Sequence, residues 1–352
     1  MEVQTLPSLR PLRLGELLDQ AIRLYRRNFL TFIGIIAVVY VPVTILQTAA
    51  AALLSNSMLD RSSLTSQNIF QNSGYWIGLL SIFILAFVQV FLVQGVATSA
   101  LARAMGNNYL GRKVGIVDAY VGIGRSWLSL FGALLFLGII FFIIVLWWVI
   151  VPCVGWFTGF GMIVFLTGAI APLVAPAVIL EGQGAIEGVR RAWSLARRRF
   201  WPLLGYIFVL YLFSFIIVRG PAAIVSAVLS STMQSFDNTT NYVLISTIVQ
   251  SFITLITTLL YYPLQMSAFT LIYFDLRVRT EGFDIALSTM QLDPANDTQT
   301  LPAPPPATEE RFMTGTDLGN FAILTLGAAG VYILFVSLIM GSVFFISSLF
   351  GR

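Results

Sequence analysis

The sequence predicts an all-α integral membrane protein of about seven transmembrane helices. They are arranged as three pseudo-repeats, each an amphipathic helix followed by a transmembrane hairpin, with a tethered seventh helix at the end. Three observations lead there. Hydrophobic residues make up 57% of the 352 residues and charged ones 10%, against roughly a quarter charged in ordinary soluble domains. Several uncharged runs exceed the ~20 apolar residues that cross a bilayer as a helix. One short pattern also recurs: an acid, an amphipathic stretch, arginines, an aromatic, then a long apolar run. Its copies begin at Asp19 (DQAIRLYRRNF), Asp118 (DAYVGIGRSW) and Glu187 (EGVRRAWSLARRRFW). Runs this continuous are helices, because barrel strands alternate over about ten residues.

Taken in order, the spans are expected near 29–54, 74–102, 127–151, 155–180, 201–218, 242–272 and 319–350. Residues 127–180 carry no charge and are too long for one helix; Pro152-Cys153-Val154-Gly155 supplies the turn between two. The fifth span is expected to close at Arg219-Gly220-Pro221, with AAIVSAVLSS continuing along the outer interface. Three regions follow: a six-span domain over 1–290, a proline-rich cytoplasmic linker over 291–317 (with DPANDTQTLPAPPPATEE) and a single C-terminal helix over 318–352.

Basic residues set the topology. Segments 1–28, 103–126, 181–200 and 273–318 hold 17 of the 20 Lys and Arg; the others are Arg61, Arg219 and Arg352. By the positive-inside rule the N-terminus is cytoplasmic and the C-terminus, after an odd number of spans, outside. Nearly thirty residues precede the first apolar run, with no cleavable signal pattern. Location in a membrane that borders the cytoplasm is the expectation.

The cytoplasmic pieces carry helical periodicity. In 14–29, Leu14, Leu17, Leu18, Ala21, Ile22, Tyr25 and Phe29 recur at three- and four-residue steps, with Arg13, Glu16, Asp19, Arg23, Arg26 and Arg27 opposite. In 184–200, Ile186, Val189, Ala192, Trp193, Ala196 and Phe200 mark a similar face; the copy at 114–127 is interrupted by Gly115, Gly122 and Gly124. Each is expected to lie in the interface before the chain enters the bilayer.

The segments LRPLRLGELLDQAIRLYRRNF, LEGQGAIEGVRRAWSLARRRFW and YFDLRVRTEGFD, in that order over roughly 8–290, resemble one bacterial family. It is the six-span membrane domain known as the glycerophosphoryl diester phosphodiesterase membrane domain. The resemblance implies the six-span fold and, with it, location in a bacterial cytoplasmic membrane. Some members are similar to this domain fused to a catalytic barrel, which this chain lacks, so the name does not transfer as an activity.

Function classes narrow further. The chain has no histidine, which removes His-based acid–base catalysis and His-ligated zinc or haem. A single cysteine, Cys153, precludes an intrachain disulfide. The basic residues track the membrane edge, so nucleic acid is not an expected partner. No cofactor, metal or catalytic residue is expected. Arg26, Arg27, Arg125, Arg197, Arg198 and Arg199 are candidates for anionic headgroup contact at the interface, beside the plainer reading as topology determinants. Asp19, Asp118 and Glu187 suit helix N-termini, or pair with arginines a turn or two on. Gly155-xxx-Gly159 permits close helix approach, and Pro172 and Pro176 are candidates for a helix break such as lines transporter sites. The expected function is non-enzymatic: a structural or accessory subunit of a membrane complex, in contact with lipids and other membrane proteins. A lipid or small-molecule transporter is the alternative, and an intramembrane enzyme using Asp or Glu ranks third.

Overall fold

The computed structural model describes residues 10–59, 73–233, 239–291 and 313–350. Arg61, Arg311, Arg352 and most of the expected linker lie outside them. Among the described residues every element is helical. From the N-terminal side come α1 (Leu14–Arg27), α2 (Phe29–Leu59), α3 (Ser73–Val88) and α4 (Thr98–Tyr109). Next are α5 (Ile116–Val121), α6 (Ser126–Ile150), α7 (Val154–Phe165) and α8 (Ala171–Glu181). Then come α9 (Ala185–Arg198), α10 (Phe200–Ser214), α11 (Gly220–Met233) and α12 (Thr239–Glu281). α13 (Phe283–Gln291) and α14 (Gly315–Phe350) follow. Six stretches are long and apolar enough to cross a membrane: Phe29–Ala51, Phe83–Tyr109, Ser126–Ile150, Val154–Glu181, Phe200–Val225 and Ile245–Glu281.

Two span limits differ from expectation. Arg219-Gly220-Pro221 does not close the fifth span, because a π-helical turn at Phe215–Arg219 carries α10 straight into α11. Pro221 follows the π turn within this continuous helix, and the widened turn accommodates its missing N–H, as at Pro172. The sixth span does not stop at Ile272. α12 runs 43 residues to Glu281, and Tyr273, Phe274, Asp275, Leu276, Arg277 and Val278 are all buried. Hydropathy reads those charges as a membrane edge; in the fold, other helices cover them.

Similar π turns interrupt the second span at Gln89–Ala97 and the fourth at Leu166–Ile170. Widened turns free carbonyls that hydroxyls can take up: Thr98 donates to the Val93 carbonyl at 3.0 Å and Ser99 to that of Gly95 at 2.5 Å. The fourth span stays helical past its prolines, from α7 through the π turn into α8. Pro172 offers no N–H to the Gly168 carbonyl and its ring crowds that oxygen, and the π turn stands immediately before it. Pro176, one turn later, is buried inside α8.

Burial is unevenly distributed along the bundle. The core runs through Thr98–Gly106 except the half-buried Arg103, then Leu173–Ile179 and Met266–Val278. Ile139, Phe142, Val149 and Ile150 of α6 and Phe252 of α12 are exposed, as a lipid-facing surface requires. The amphipathic helices belong to the packed end. α1 lies antiparallel to α12: Leu12 meets Asp275, while the Tyr25 hydroxyl donates to the Leu260 carbonyl at 2.8 Å. Its apolar stripe (Leu17, Ala21, Leu24, Tyr25) is therefore covered by protein and not by an interfacial layer. Relative to the expected faces, Ile22 and Ile186 turn outward, while Leu24 and Leu195 turn in. Glycine shortens α5 to six residues, with Gly115 and Gly122 capping its ends.

α5 is held to the bundle by Tyr120, whose hydroxyl donates to the Ile35 carbonyl at 2.5 Å. Burial pushes the pKa of this phenol up to about 12. Tyr120→Phe is expected to cost about 1 kcal/mol, seen as a lower midpoint in a tryptophan-fluorescence melt of the detergent-solubilised protein; an unchanged midpoint would show the bond to be inconsequential.

α14 is seated on its own chain along α7. At Gly161 the two backbones come so close that a Cβ would fall on the Phe321 carbonyl oxygen and 2.9 Å from Thr325 Oγ1. The Gly161 N–H donates to Thr325 Oγ1 at 2.8 Å. Phe321, 1% exposed, joins Phe165, Phe200 and Trp193 in an aromatic cluster, its ring 5.6 Å from Phe165 and 5.7 Å from Phe200. Gly155 and Gly159 serve a different contact: a Cβ at either would meet Trp147 or Trp148 of α6.

Candidate functional site

The last turns of α12, YFDLRVRTE, present different charges on different faces because helical neighbours recur every four residues. Tyr273, Arg277 and Glu281 share one face, which meets the end of α8 and the middle of α9. Arg191 of α9 lies between two carboxylates. Its Nε donates to Glu181 Oε2 at 3.0 Å and its Nη2 to Glu181 Oε1 at 3.2 Å. Its two terminal nitrogens also hold both oxygens of Glu281, the Nη2–Oε2 bond being 2.6 Å. Arg277 Nε lies 3.2 Å from Glu181 Oε1 and 3.3 Å from Glu281 Oε2. The Tyr273 hydroxyl donates to Glu181. The Glu181 side chain is fully buried, and those of Arg277 and Glu281 are 2% and 4% exposed. Burial alone would lower the Arg191 pKa, but the hydrogen bonds it donates to Glu281 and Glu181 outweigh that and raise the value above that of a free guanidinium.

Asp275 and Arg279 occupy a second face and clamp the backbone ahead of α1. Asp275 Oδ1 accepts the Leu12 N–H at 2.8 Å, Arg279 Nη2 donates to the Leu12 carbonyl at 2.6 Å, and Arg279 Nε bonds Asp275 at 2.8 Å. Phe274 and Val278 form a third face, packed with Leu110 and Phe283. The Arg277 guanidinium also lies over the Phe283 ring, 4.1 Å from its centroid, a contact worth up to about 2 kcal/mol when desolvated. One helix end thus ties the chain's start, the α8–α9 turn and α13 together. Each carboxylate is held by arginine, so the geometry suits fixing helices rather than passing protons. Among the described residues no three His, Cys, Asp or Glu side chains converge as a cation site.

The residues singled out from sequence are placed elsewhere. Arg26, Arg27, Arg197 and Arg198 fall in the last turns of α1 and α9, where cations complement the helix dipole. Arg26, Arg27 and Arg125 are exposed, while Arg197 pairs with Asp317 of α14 at 3.5 Å. Arg199 joins α9 to α10. The first-turn acids are Glu16, Asp118 and Glu187, so Glu16, not Asp19, is the counterpart of the other two. Its carboxylate accepts the Arg13 N–H at 3.1 Å, which together with Arg10 holds its pKa below the usual carboxylate range. The expected ties from Asp19, Asp118 and Glu187 to arginines do not form among the described residues; Glu181, Asp275 and Glu281 make the ties between helices. Only the i,i+4 pairs Asp275–Arg279 and Arg277–Glu281 were legible as a signal for them.

No family model matches the chain, and no match was found among curated proteins or solved structures.

Proposed function

We propose that this chain is a non-enzymatic, multi-pass scaffold of the bacterial cytoplasmic membrane: an accessory subunit whose basic rim meets anionic lipid headgroups. In this reading the N-terminus is cytoplasmic, α14 is a seventh span, and α1, α5 and α9 head three related units. The equal 14-residue lengths of α1 and α9, with Ala21 and Ala192, Leu24 and Leu195, and Arg26 and Arg197 at matching positions, support the repeat. The likeness of three segments to the phosphodiesterase-associated membrane domain supports the same architecture.

The observation that carries the reading is the sorting of charge. Glu181, Asp275, Glu281 and Asp317 are taken up by arginines inside the protein. Among the described residues, the exposed cations that remain, Arg13, Arg23, Arg26, Arg27, Lys113, Arg125 and Arg190, outnumber the exposed acids Asp19, Asp118 and Glu187. A surplus of this kind at a membrane edge attracts anionic lipid by about 1 kcal/mol per residue. Transport has one supporting observation: two polar pairs among the spans, in which Gln47 donates to Gln89 at 2.7 Å and Tyr262 meets Thr98 at 2.8 Å. It is weaker, since the fourth span, which bears the prolines, is the packed centre of the bundle.

The test is gentle-detergent purification from native membranes with mass spectrometry of what is retained. Anionic phospholipid and at least one membrane protein at fixed stoichiometry are expected. A monodisperse monomer carrying neither would overturn the scaffold reading.

A further inference from the structure

Arg103 lacks the carboxylate partners that Arg191, Arg277 and Arg279 have at the packed end. It is the only charged residue of α4, it is half-buried, and Thr98–Ala102 and Ala104–Gly106 on either side of it are buried. Its guanidinium is seated on Gly122, where α5 ends: a Cβ at Gly122 would lie 2.6 Å from both Cζ and Nη2. The Nε–H is sealed from solvent without an acceptor. No carboxylate pairs with this arginine among the described residues, although a guanidinium offers five donors. Holding such a charge half-buried and uncompensated is costly, and the glycine beneath it fixes the orientation of the fork. The turn it rests on continues through Gly124, at a left-handed φ of 54°, and the exposed Arg125 into Ser126, where α6 begins. The 25-residue helix directs the positive end of its dipole to the same place.

We infer that Arg103, seated on Gly122 at the head of α6, is a preorganised site for a phosphate group, either the diester of an anionic lipid or free phosphate. The proposal rests on the reading that the basic rim meets anionic headgroups, and it gives one arginine the specific role. The sealed Nε holds the guanidinium in its seat without reaching a ligand, and the two terminal nitrogens of the planar fork match two phosphate oxygens at once, whereas the exposed arginines offer only diffuse charge. Gly122 is part of the site because any side chain there would lift the fork from its seat.

The experiment is a thermal-shift titration of the full chain in neutral detergent. The titrants are dioctanoyl phosphatidylglycerol in one arm and sodium phosphate, at matched ionic strength, in the other. Gly122→Ala is the decisive variant: the atoms it displaces are the far end of a flexible side chain, so the fold is kept, and the net charge is unchanged. Arg103→Gln and Gly122→Ala are each expected to weaken the apparent affinity about fivefold, equivalent to about 1 kcal/mol. Loss in the lipid arm alone identifies a headgroup, and loss in both arms identifies phosphate as such. If Gly122→Ala binds like wild type in both arms, the seat is overturned even where the rim still prefers anionic lipid. If wild type responds to neither titrant, the seat falls, and the rim reading falls with it.

Discussion

Arg191→Ala is expected to destabilise the protein by about 3–5 kcal/mol, the scale found when one partner of a buried ion pair is removed. The substitution takes away the group that holds both Glu181 and Glu281 and leaves two buried carboxylates with only Arg277 between them. Part of the loss is the cost of that surplus negative charge and not the worth of the bonds. The double variant Arg191→Met, Glu281→Leu separates the two contributions. It removes one charge of each sign, keeps Glu181 with Arg277 and Tyr273, and is expected to recover most of the stability. Arg190→Ala, the exposed neighbour, is expected to stay within about 0.5 kcal/mol of wild type. Fluorescence melts in one detergent compare all three. Equal midpoints for the Arg191→Ala and Arg190→Ala variants would remove the hub from the account of this fold.

The same hub explains what the sequence did and did not reveal. Long apolar runs mark all six stretches that are long and apolar enough to cross a membrane. The three-and-four spacing of Leu14, Leu17, Leu18 and Ala21 likewise marks α1. The end of α12 was hidden because a hydropathy window counts Asp275, Arg277, Arg279 and Glu281 as cost. Their cancellation depends on Arg191 and Glu181, which lie far away in the chain. A window cannot see that pairing; the i,i+4 order of the charges hints at it. Arg219-Gly220-Pro221 misleads in the other direction, since proline ends a helix only where its missing N–H leaves a carbonyl stranded, and a π turn removes that conflict. The two kinds of arginine are likewise indistinguishable by composition. Arg191 and Arg190 are adjacent, yet one closes the core and the other faces outward.

Gly161→Leu is expected to release α14 from the rest of the chain. The substitution places a branched side chain on the Phe321 carbonyl and across the Gly161–Thr325 hydrogen bond. Unlike the Arg103 fork above Gly122, the obstacle here is backbone, which cannot step aside. Between lipid-facing helices there is little hydrophobic drive to restore the contact, because hydrocarbon serves an apolar surface as well as another helix does; close backbone approach and interhelical hydrogen bonds carry the association. Phe321 would also leave the Phe165–Phe200–Trp193 cluster, and Asp317 would leave Arg197. The measurement uses a protease site inserted between residues 292 and 312. After cleavage in detergent the C-terminal helix of the wild-type chain is expected to co-elute with the body, and that of the Gly161→Leu variant to separate. Gly168→Ala serves as the control, since a Cβ there meets only side-chain atoms at 3.7 Å or more. Should the helix stay bound in the Gly161→Leu variant, the close approach is not what seats α14. Should it separate in the wild type as well, α14 would be free for a partner, and the accessory-subunit reading would regain the docking element that its seat on α7 otherwise occupies.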